Sequence, residues 1–306
     1  MAKIDTAVDL AGVQLKNPMV MASGTFGFGR EYGAFYDLSL LGGICCKGLT
    51  LHKREGNPAP RIAETPMGIL NSVGLQNLGV DGFIEKELPF LRQYDVAVIA
   101  NISGNTPEEY GIMCQKLAEA KVDMIEVNIS CPNVKAGGLA YGTQAHLAQE
   151  VTEVAKKNAG NIPVMVKLSP NVTDITEISK AVEQGGADAI SLINTIRGMR
   201  IDVLTGRPVL KMNTGGLSGP AVFPVALRMV WEVACQTSLP ILGMGGVSKG
   251  SDAAQMVLAG ATAVGVGTAT FPDPFAPLEI LKELEAIAQT RGETTLADMR
   301  GKVLPW

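Results

Sequence analysis

Eight short, apolar, strand-like runs recur through this chain, separated by longer segments with helical spacing, and that alternation confines it to a few α/β folds. The runs are Pro18–Ser23, Gly43–Lys47, Val96–Ser103, Asp123–Ser130, Pro163–Ser169, Ala189–Thr195, Pro240–Gly246 and Ala263–Thr268. Val96-Ala97-Val98-Ile99-Ala100 is continuously apolar, as expected of a strand buried on both faces. Between the runs, Pro107–Ala120, Gln144–Asn158, Asp174–Gly185, Pro220–Thr237 and Gly250–Ala259 carry apolar residues at helical intervals. Gly185-Gly186 and Gly260 are stop signals for such helices. Eight strand–helix units in 306 residues fit a closed (β/α)8 barrel, with residues 1–306 as a single domain and long loops after strands two, four and six. A doubly wound sheet is the alternative, but no G-x-G-x-x-G turn follows the first run. The connections Gly48–Asp95 and Ile196–Gly219 are long enough to be lids or binding loops.

In a barrel of this kind the chemistry gathers at the C-terminal ends of the strands. Those ends read Ser23-Gly24, Lys47-Gly48, Asn101, Asn128 with Cys131, Lys167, Asn194-Thr195, Gly245-Gly246 and Gly267-Thr268. Any one of these polar residues is explained by the start of a loop, but the pattern holds at all eight ends. The glycine pairs after runs seven and eight suit tight turns, and they also suit a phosphate held by backbone N–H groups. Lys47 and Lys167 end otherwise apolar runs, where a lysine either snorkels to solvent or meets an anion. Asn71, Asn128, Asn133 and Asn194 are ordinary turn residues taken singly. Together they offer donors and acceptors matched to a cyclic ureide.

The run Asp123 to Ile129 delivers Cys131 between Asn128 and Asn133, with Pro132 ending any strand pairing. The chain has only two histidines, His52 and His146, and neither lies at a strand end. Cys131 is therefore a leading candidate for proton transfer. Cys45, Cys46, Cys114 and Cys235 read as core filler, with Cys45 and Cys46 on opposite faces of run two. The five cysteines form no metal-ligand spacing, so redox chemistry here calls for an organic cofactor or a partner's cluster, and no metal site is expected. A net charge of −4 gives no footprint for nucleic acid or anionic lipid. The segment Met1 to Pro18 carries Asp5 and Asp9 and lacks the apolar core of a signal peptide. No apolar run approaches the roughly 18 residues that span a bilayer. The expectation is a cytoplasmic protein without membrane contact.

Taken in order, these segments resemble the dihydroorotate dehydrogenase family over nearly the whole chain. The resemblance rests on Asn17-Pro18, Ala22-Ser23-Gly24, Lys47-Gly48-Leu49-Thr50 and Asn71-Ser72-Val73-Gly74-Leu75-Gln76-Asn77. It continues through Asn128-Ile129-Ser130-Cys131-Pro132-Asn133, Lys167-Leu168-Ser169-Pro170-Asn171, Asn194-Thr195, Gly215-Gly216-Leu217-Ser218-Gly219 and the glycine loops. Cysteine at position 131 looks like class 1 of the family, because class 2 has serine there. Ser130 to Lys135 with Gly137-Gly138, and Asn194 to Met199, look like class 1B. Arg197 is charged where that resemblance leads one to expect an apolar residue.

The resemblance implies oxidation of (S)-dihydroorotate to orotate in pyrimidine biosynthesis, with one FMN per chain. It further implies a homodimer at the centre of a heterotetramer, in which an electron-transfer subunit carrying FAD and a [2Fe–2S] cluster passes electrons to NAD⁺. Carried over by position, FMN contacts fall on Ser23, Lys47, Gly48, Asn101, Asn128 and Lys167, and on Ile193, Gly219, Gly245, Gly246, Gly267 and Thr268. Substrate contacts fall on Lys47, Asn71, Ser72, Val73, Gly74, Leu75, Asn128, Asn133, Asn194 and Thr195. Cys131 is the expected general base, and Lys167 the expected stabiliser of charge at the N1–C2 edge of the flavin. The segment around Gly137-Gly138 is an expected lid. Three rivals remain at this level: a class 1A enzyme reducing fumarate, a tRNA dihydrouridine synthase, and a non-catalytic phosphate-ligand barrel. The second should show a basic face and an RNA-binding extension, and the sequence shows neither.

Overall fold

A computed structural model describes residues 4–129 and 141–306. Its eight parallel strands close into a barrel in chain order. They are β1 (Met19–Met21), β2 (Gly43–Cys45), β3 (Ala97–Ile102), β4 (Met124–Asn128), β5 (Val164–Lys167), β6 (Ala189–Leu192), β7 (Ile241–Met244) and β8 (Ala263–Val266). Each falls inside a run expected from the sequence and is shorter than it; Asn101, Asn128 and Lys167 stay in the ladder, while Ser23, Lys47 and Asn194 lie just beyond it at the mouth. β8 pairs with β1 through Gly265 and Val20, which closes the cylinder.

Successive residues of a strand face opposite sides, and the barrel uses this strictly. Val20, Cys45, Ile99, Met124, Met165, Ala189, Leu242 and Ala263 form an inner apolar layer, one from each strand. Leu10 and Leu15, from the N-terminal hairpin Val8–Leu10 and Val13–Leu15, join that layer. Two residues further along, the same inner face carries Lys47, Asn101, Glu126, Lys167 and Ser191. The interior thus changes from apolar to polar toward the C-terminal mouth.

The outer face packs on helices whose apolar residues recur every three or four positions. Helix α1 (Pro107–Glu119) buries Tyr110, Met113, Cys114 and Leu117, and Thr106 caps it by accepting from the Glu109 amide. Helix α2 (Ala145–Asn158), which holds His146 in its first turn, buries Ala148, Val151 and Ala155. The remaining large helices are α3 (Ile175–Gln184), α4 (Phe223–Ala234), α5 (Gly250–Leu258) and α6 (Ala276–Thr290). Helix α6 is not among the helical stretches picked out from the sequence. Among the described residues no helix is long and apolar enough to cross a membrane.

The two long connections do more than loop. Segments Ile62–Thr65 and Gly68–Asn71 from the first meet Ile196–Gly198 and Gly215–Ser218 from the second in a four-stranded antiparallel sheet. Gly216 pairs with Asn71, and Arg197 pairs with Gly216 on its other side. A Cβ on Gly216 would lie 2.0 Å from Thr195 Oγ1, so only glycine lets Thr195 pack against this strand. Arg197 is exposed, and its amide donates to Asn171 Oδ1 at 3.0 Å, so its charge stays in solvent.

Cys45 and Cys46 do face opposite sides of β2, one into the barrel and one toward the helices. Cys235 is not core filler: it is exposed at the C-terminal end of α4, where the helix turns into its loop. Burial pushes the Cys45 and Cys46 thiols well above their ordinary range and Cys114 up to about 12. Because the thiolate is the reactive form, a disulfide reagent at about pH 8 should label Cys235 in the folded protein and spare Cys45, Cys46 and Cys114. Peptide mapping before and after unfolding checks this, and early labelling of the three buried thiols would contradict it.

Candidate active site

A cleft opens at the C-terminal mouth of the barrel, enclosing about 1010 Å³ with its open entrance included. Each barrel strand ends on it. Ser23 follows β1, Lys47 and Gly48 follow β2, and Asn101 lies on β3. Asn128 ends β4 and Lys167 ends β5. Ile193, Asn194 and Thr195 follow β6, Gly245 and Gly246 follow β7, and Gly267 and Thr268 follow β8. Asn71 of the small sheet, with Val73, Gly74 and Leu75 from the segment that follows its strand, supplies the remaining wall. The site residues expected from the sequence therefore converge, apart from four.

Cys131 and Asn133 lie outside the described residues, as does the expected lid around Gly137-Gly138. Ser72 departs from expectation: it is fully buried and does not line the cleft, whereas its neighbours Asn71 and Val73 do. Its amide donates to the Arg61 carbonyl and its carbonyl accepts from Asn57 Nδ2, so its role here is to hold the wall. Gly219 lines a neighbouring cavity that shares Gly246 and Thr268 with the cleft. It stands behind Gly246, where an added Cβ would lie 2.7 Å from the Gly219 carbonyl oxygen and 2.8 Å from the Phe223 nitrogen. With φ of +75° as well, Gly246 tolerates no side chain.

The polar groups are held by hydrogen bonds that fix their direction. The Asn128 backbone carbonyl accepts from Tyr110 Oη at 3.0 Å, and its side-chain oxygen accepts from Asn194 Nδ2 at 3.3 Å. Asn194 Oδ1 accepts from the Thr195 amide at 2.7 Å, while Asn171 Nδ2 donates to the Thr195 carbonyl at 3.0 Å. Asn71 Nδ2 donates to the Gly216 carbonyl at 3.4 Å, and Thr268 Oγ1 donates to Ser218 Oγ at 2.8 Å.

Beneath the cleft sits Glu126, a residue the sequence reading passes over. Its side chain is 0% exposed, and it accepts from Cys45 Sγ at 2.9 Å, from Ser191 Oγ at 2.7 Å and from Asn101 Nδ2. Lys167 Nζ lies 3.8 Å from the same carboxylate, with Lys167 itself 5% exposed. The signal that could have found it is its period-two spacing with Met124 and Asn128, which puts a lone carboxylate on the inward face of an apolar strand. Ala22, Gly24, Thr25, Ser218, Met244 and Gly265 also line the cleft without having been expected there.

The donor set has a definite chemical character. Two cations, several amides and a backbone-rich glycine rim surround a partly apolar floor of Ile193, Met244 and Leu75. A Cβ on Gly24 would meet nothing within 4 Å, so the absence of side chains leaves real space there. Asn101, which lines the cleft, has its Oδ1 buried with no hydrogen-bond partner among the described residues. A flat heteroaromatic with N–H and C=O edges and an anionic tail fits these features, as a flavin mononucleotide does.

Comparison with known proteins places the chain in a family. Residues 6–288 match the family described as dihydroorotate dehydrogenase. A protein of Alkaliphilus metalliredigens is 52% identical over 303 residues, covering 99% of this chain and 100% of its own. One of Geobacillus kaustophilus is 53% identical over 297 residues, covering 97% of this chain and 95% of its own. One of Alkaliphilus oremlandii is 55% identical over 285 residues, covering 93% and 94%. All three carry the name dihydroorotate dehydrogenase B (NAD(+)), catalytic subunit.

Proposed function

Since the chain belongs to the dihydroorotate dehydrogenase family, we propose that it oxidises (S)-dihydroorotate to orotate in pyrimidine biosynthesis as the catalytic subunit of an NAD⁺-linked enzyme. The observation that carries this is the convergence of Lys47, Lys167, Asn101, Asn128 and Asn194 with the glycine rim in one cleft at the barrel mouth. Residues 1–306 act as one FMN-binding unit, with long loops after strands two, four and six. Bound in this cleft, FMN would supply a two-electron acceptor for the hydride that leaves C6 of the substrate.

The chain's own residues do the rest. Gly245, Gly246 and Gly267, backed by Gly219, would hold the phosphate end of the cofactor through backbone N–H groups, with Thr268 beside them. Ser23, Gly48 and Ile193 would bound its ring system, and Asn101 and Asn128 would offer it amide donors and acceptors. Lys167 places positive charge where negative charge grows on reduction. Lys47 pairs with the substrate carboxylate, and Asn71, Asn128, Asn133 and Asn194 match the ureide with donors and acceptors. Val73, Gly74, Leu75 and Thr195 complete the substrate wall, and Ser72 supports it from behind. Cys131 Sγ takes the proton from C5 as general base, and the segment around Gly137-Gly138 excludes water from it.

Electrons leave through a second subunit carrying FAD and a [2Fe–2S] cluster, in a cytoplasmic heterotetramer built on a homodimer of this chain. The name of the relatives, a catalytic subunit linked to NAD⁺, supports that division of labour. The test is an anaerobic titration of the purified protein with dihydroorotate. The flavin should bleach, and it should recover with NAD⁺ only when the partner subunit is added. Recovery with fumarate and no partner would overturn the NAD⁺ assignment, and colourless protein indifferent to dihydroorotate would overturn the enzyme reading.

A further inference from the structure

We infer that Glu126 is a positioning residue of the flavin site, a buried counter-charge that fixes Lys167 and Asn101 and offsets the positive charge Lys167 presents to the cofactor. The inference rests on the reading that the cleft holds FMN. Its basis is the geometry beneath the cleft. One carboxylate on β4 takes donors from three other strands, Cys45 of β2, Asn101 of β3 and Ser191 of β6, and faces Lys167 of β5. Asn101 and Lys167 line the cleft, so Glu126 stands one side chain away from anything bound there.

A purely structural role explains this poorly. The interior layers of such barrels are ordinarily filled by Val, Ile and Leu, which need no partners. A buried carboxylate loses its hydration and is tolerated only when its oxygens are satisfied and opposed by charge. Here the neutral donors satisfy it: Ser191 bonds Oε1, while Cys45 and Asn101 share Oε2. Burial and the neighbouring carboxylate keep the Cys45 thiol protonated, so it remains a donor rather than a second anion. What is left for Lys167 is an ion pair at 3.8 Å, longer than a close contact, in which its ammonium is directed but not consumed.

The electrostatic consequence has a sign. Reduction puts negative charge into the cleft, which Lys167 favours and Glu126 opposes. In Glu126→Gln the brake is gone, so the protein should bind reduced FMN relative to oxidised FMN at least about tenfold better than wild type, equivalent to about 30 mV upward for a two-electron couple. Ser191→Ala should shift the potential the other way, because it leaves the negative charge in place and removes a neutral donor that partly screens it. Both are read on the flavin-loaded full chain by dye-equilibrated reductive titration, which needs no turnover and no substrate. An upward shift in Glu126→Gln with a downward shift in Ser191→Ala supports the inference. Unchanged potentials, or a downward shift in Glu126→Gln, overturn it and leave Glu126 a packing residue. Should Glu126→Gln fail to fold, Ser191→Ala decides: a lower potential supports the counter-charge, an equal or higher one rejects it. Wild-type protein that takes up no FMN would refute the flavin reading itself, which is a different result.

Discussion

Replacing Cys131 with serine should slow reduction of the bound flavin by dihydroorotate about 10²- to 10⁴-fold near neutral pH, the usual contribution of a positioned general base. A hydroxyl is a far weaker base than a thiolate, and among the described residues no histidine, carboxylate or second thiol lines the cleft. The chain's two histidines are His52, in the connection after β2, and His146, on helix α2 of the outer ring, and neither lines the cleft. Cys131 follows Asn128 by three residues, and Asn128 ends β4 inside the cleft. FMN and orotate binding should survive, since neither contact set includes the thiol. The measurement is anaerobic single-turnover reduction by rapid mixing, with orotate titration as the control. A mutant that reduces its flavin at the wild-type rate would remove Cys131 from the mechanism.

Lys47→Ala should weaken orotate binding by about 10- to 100-fold. A hydrogen bond to a charged partner contributes roughly 1.5–3 kcal/mol, and about 1.4 kcal/mol is a factor of ten. Lys47 is half-buried beside Gly48 and Asn71, and its amide donates to the Gly27 carbonyl at 2.9 Å, so its backbone is fixed while its side chain serves the cleft. A shortened side chain would leave the substrate carboxylate with no cation from β2. Lys167, on β5 and 3.8 Å from the Glu126 carboxylate, is held on the flavin side of the cleft and does not replace it. FMN should remain bound, since the glycine rim and the Asn101 and Asn128 amides stay in place. Titration of the mutant's flavin spectrum with orotate checks the prediction, and equal affinity would rule out the carboxylate contact.

The counter-charge beneath the site shows why burial matters to both arguments. Breaking a buried pair by removing one partner commonly costs about 3–5 kcal/mol, because the remaining charge is stranded. Lys167 and Glu126 are such a pair, with 5% and 0% of each residue exposed. Changes at Lys167 therefore disturb the barrel as well as the flavin. Lys47, at the rim, is the safer probe of charge in the cleft.

The barrel and the mouth where its site lies are legible in the local pattern of the chain. Short apolar runs and turn signals are local, so a short strand and its polar C-terminal end are written in five or six adjacent residues. Once eight such strands follow one another with helices between, parallel closure leaves little freedom, and Lys47, Asn101, Asn128 and Lys167 must meet at one mouth. Only the tertiary structure decided the rest. The small sheet depends on pairing between Asn71 and Gly216, 145 residues apart, and nothing near either residue in the sequence names the other. Cys235 is exposed because α4 ends one residue before it, a boundary that apolar spacing does not fix. Glu126 reads as one more charge in an apolar run until its donors arrive from 25, 65 and 81 residues away. The cost of a buried charge is set by every neighbour at once, and those neighbours exist only after the barrel has closed.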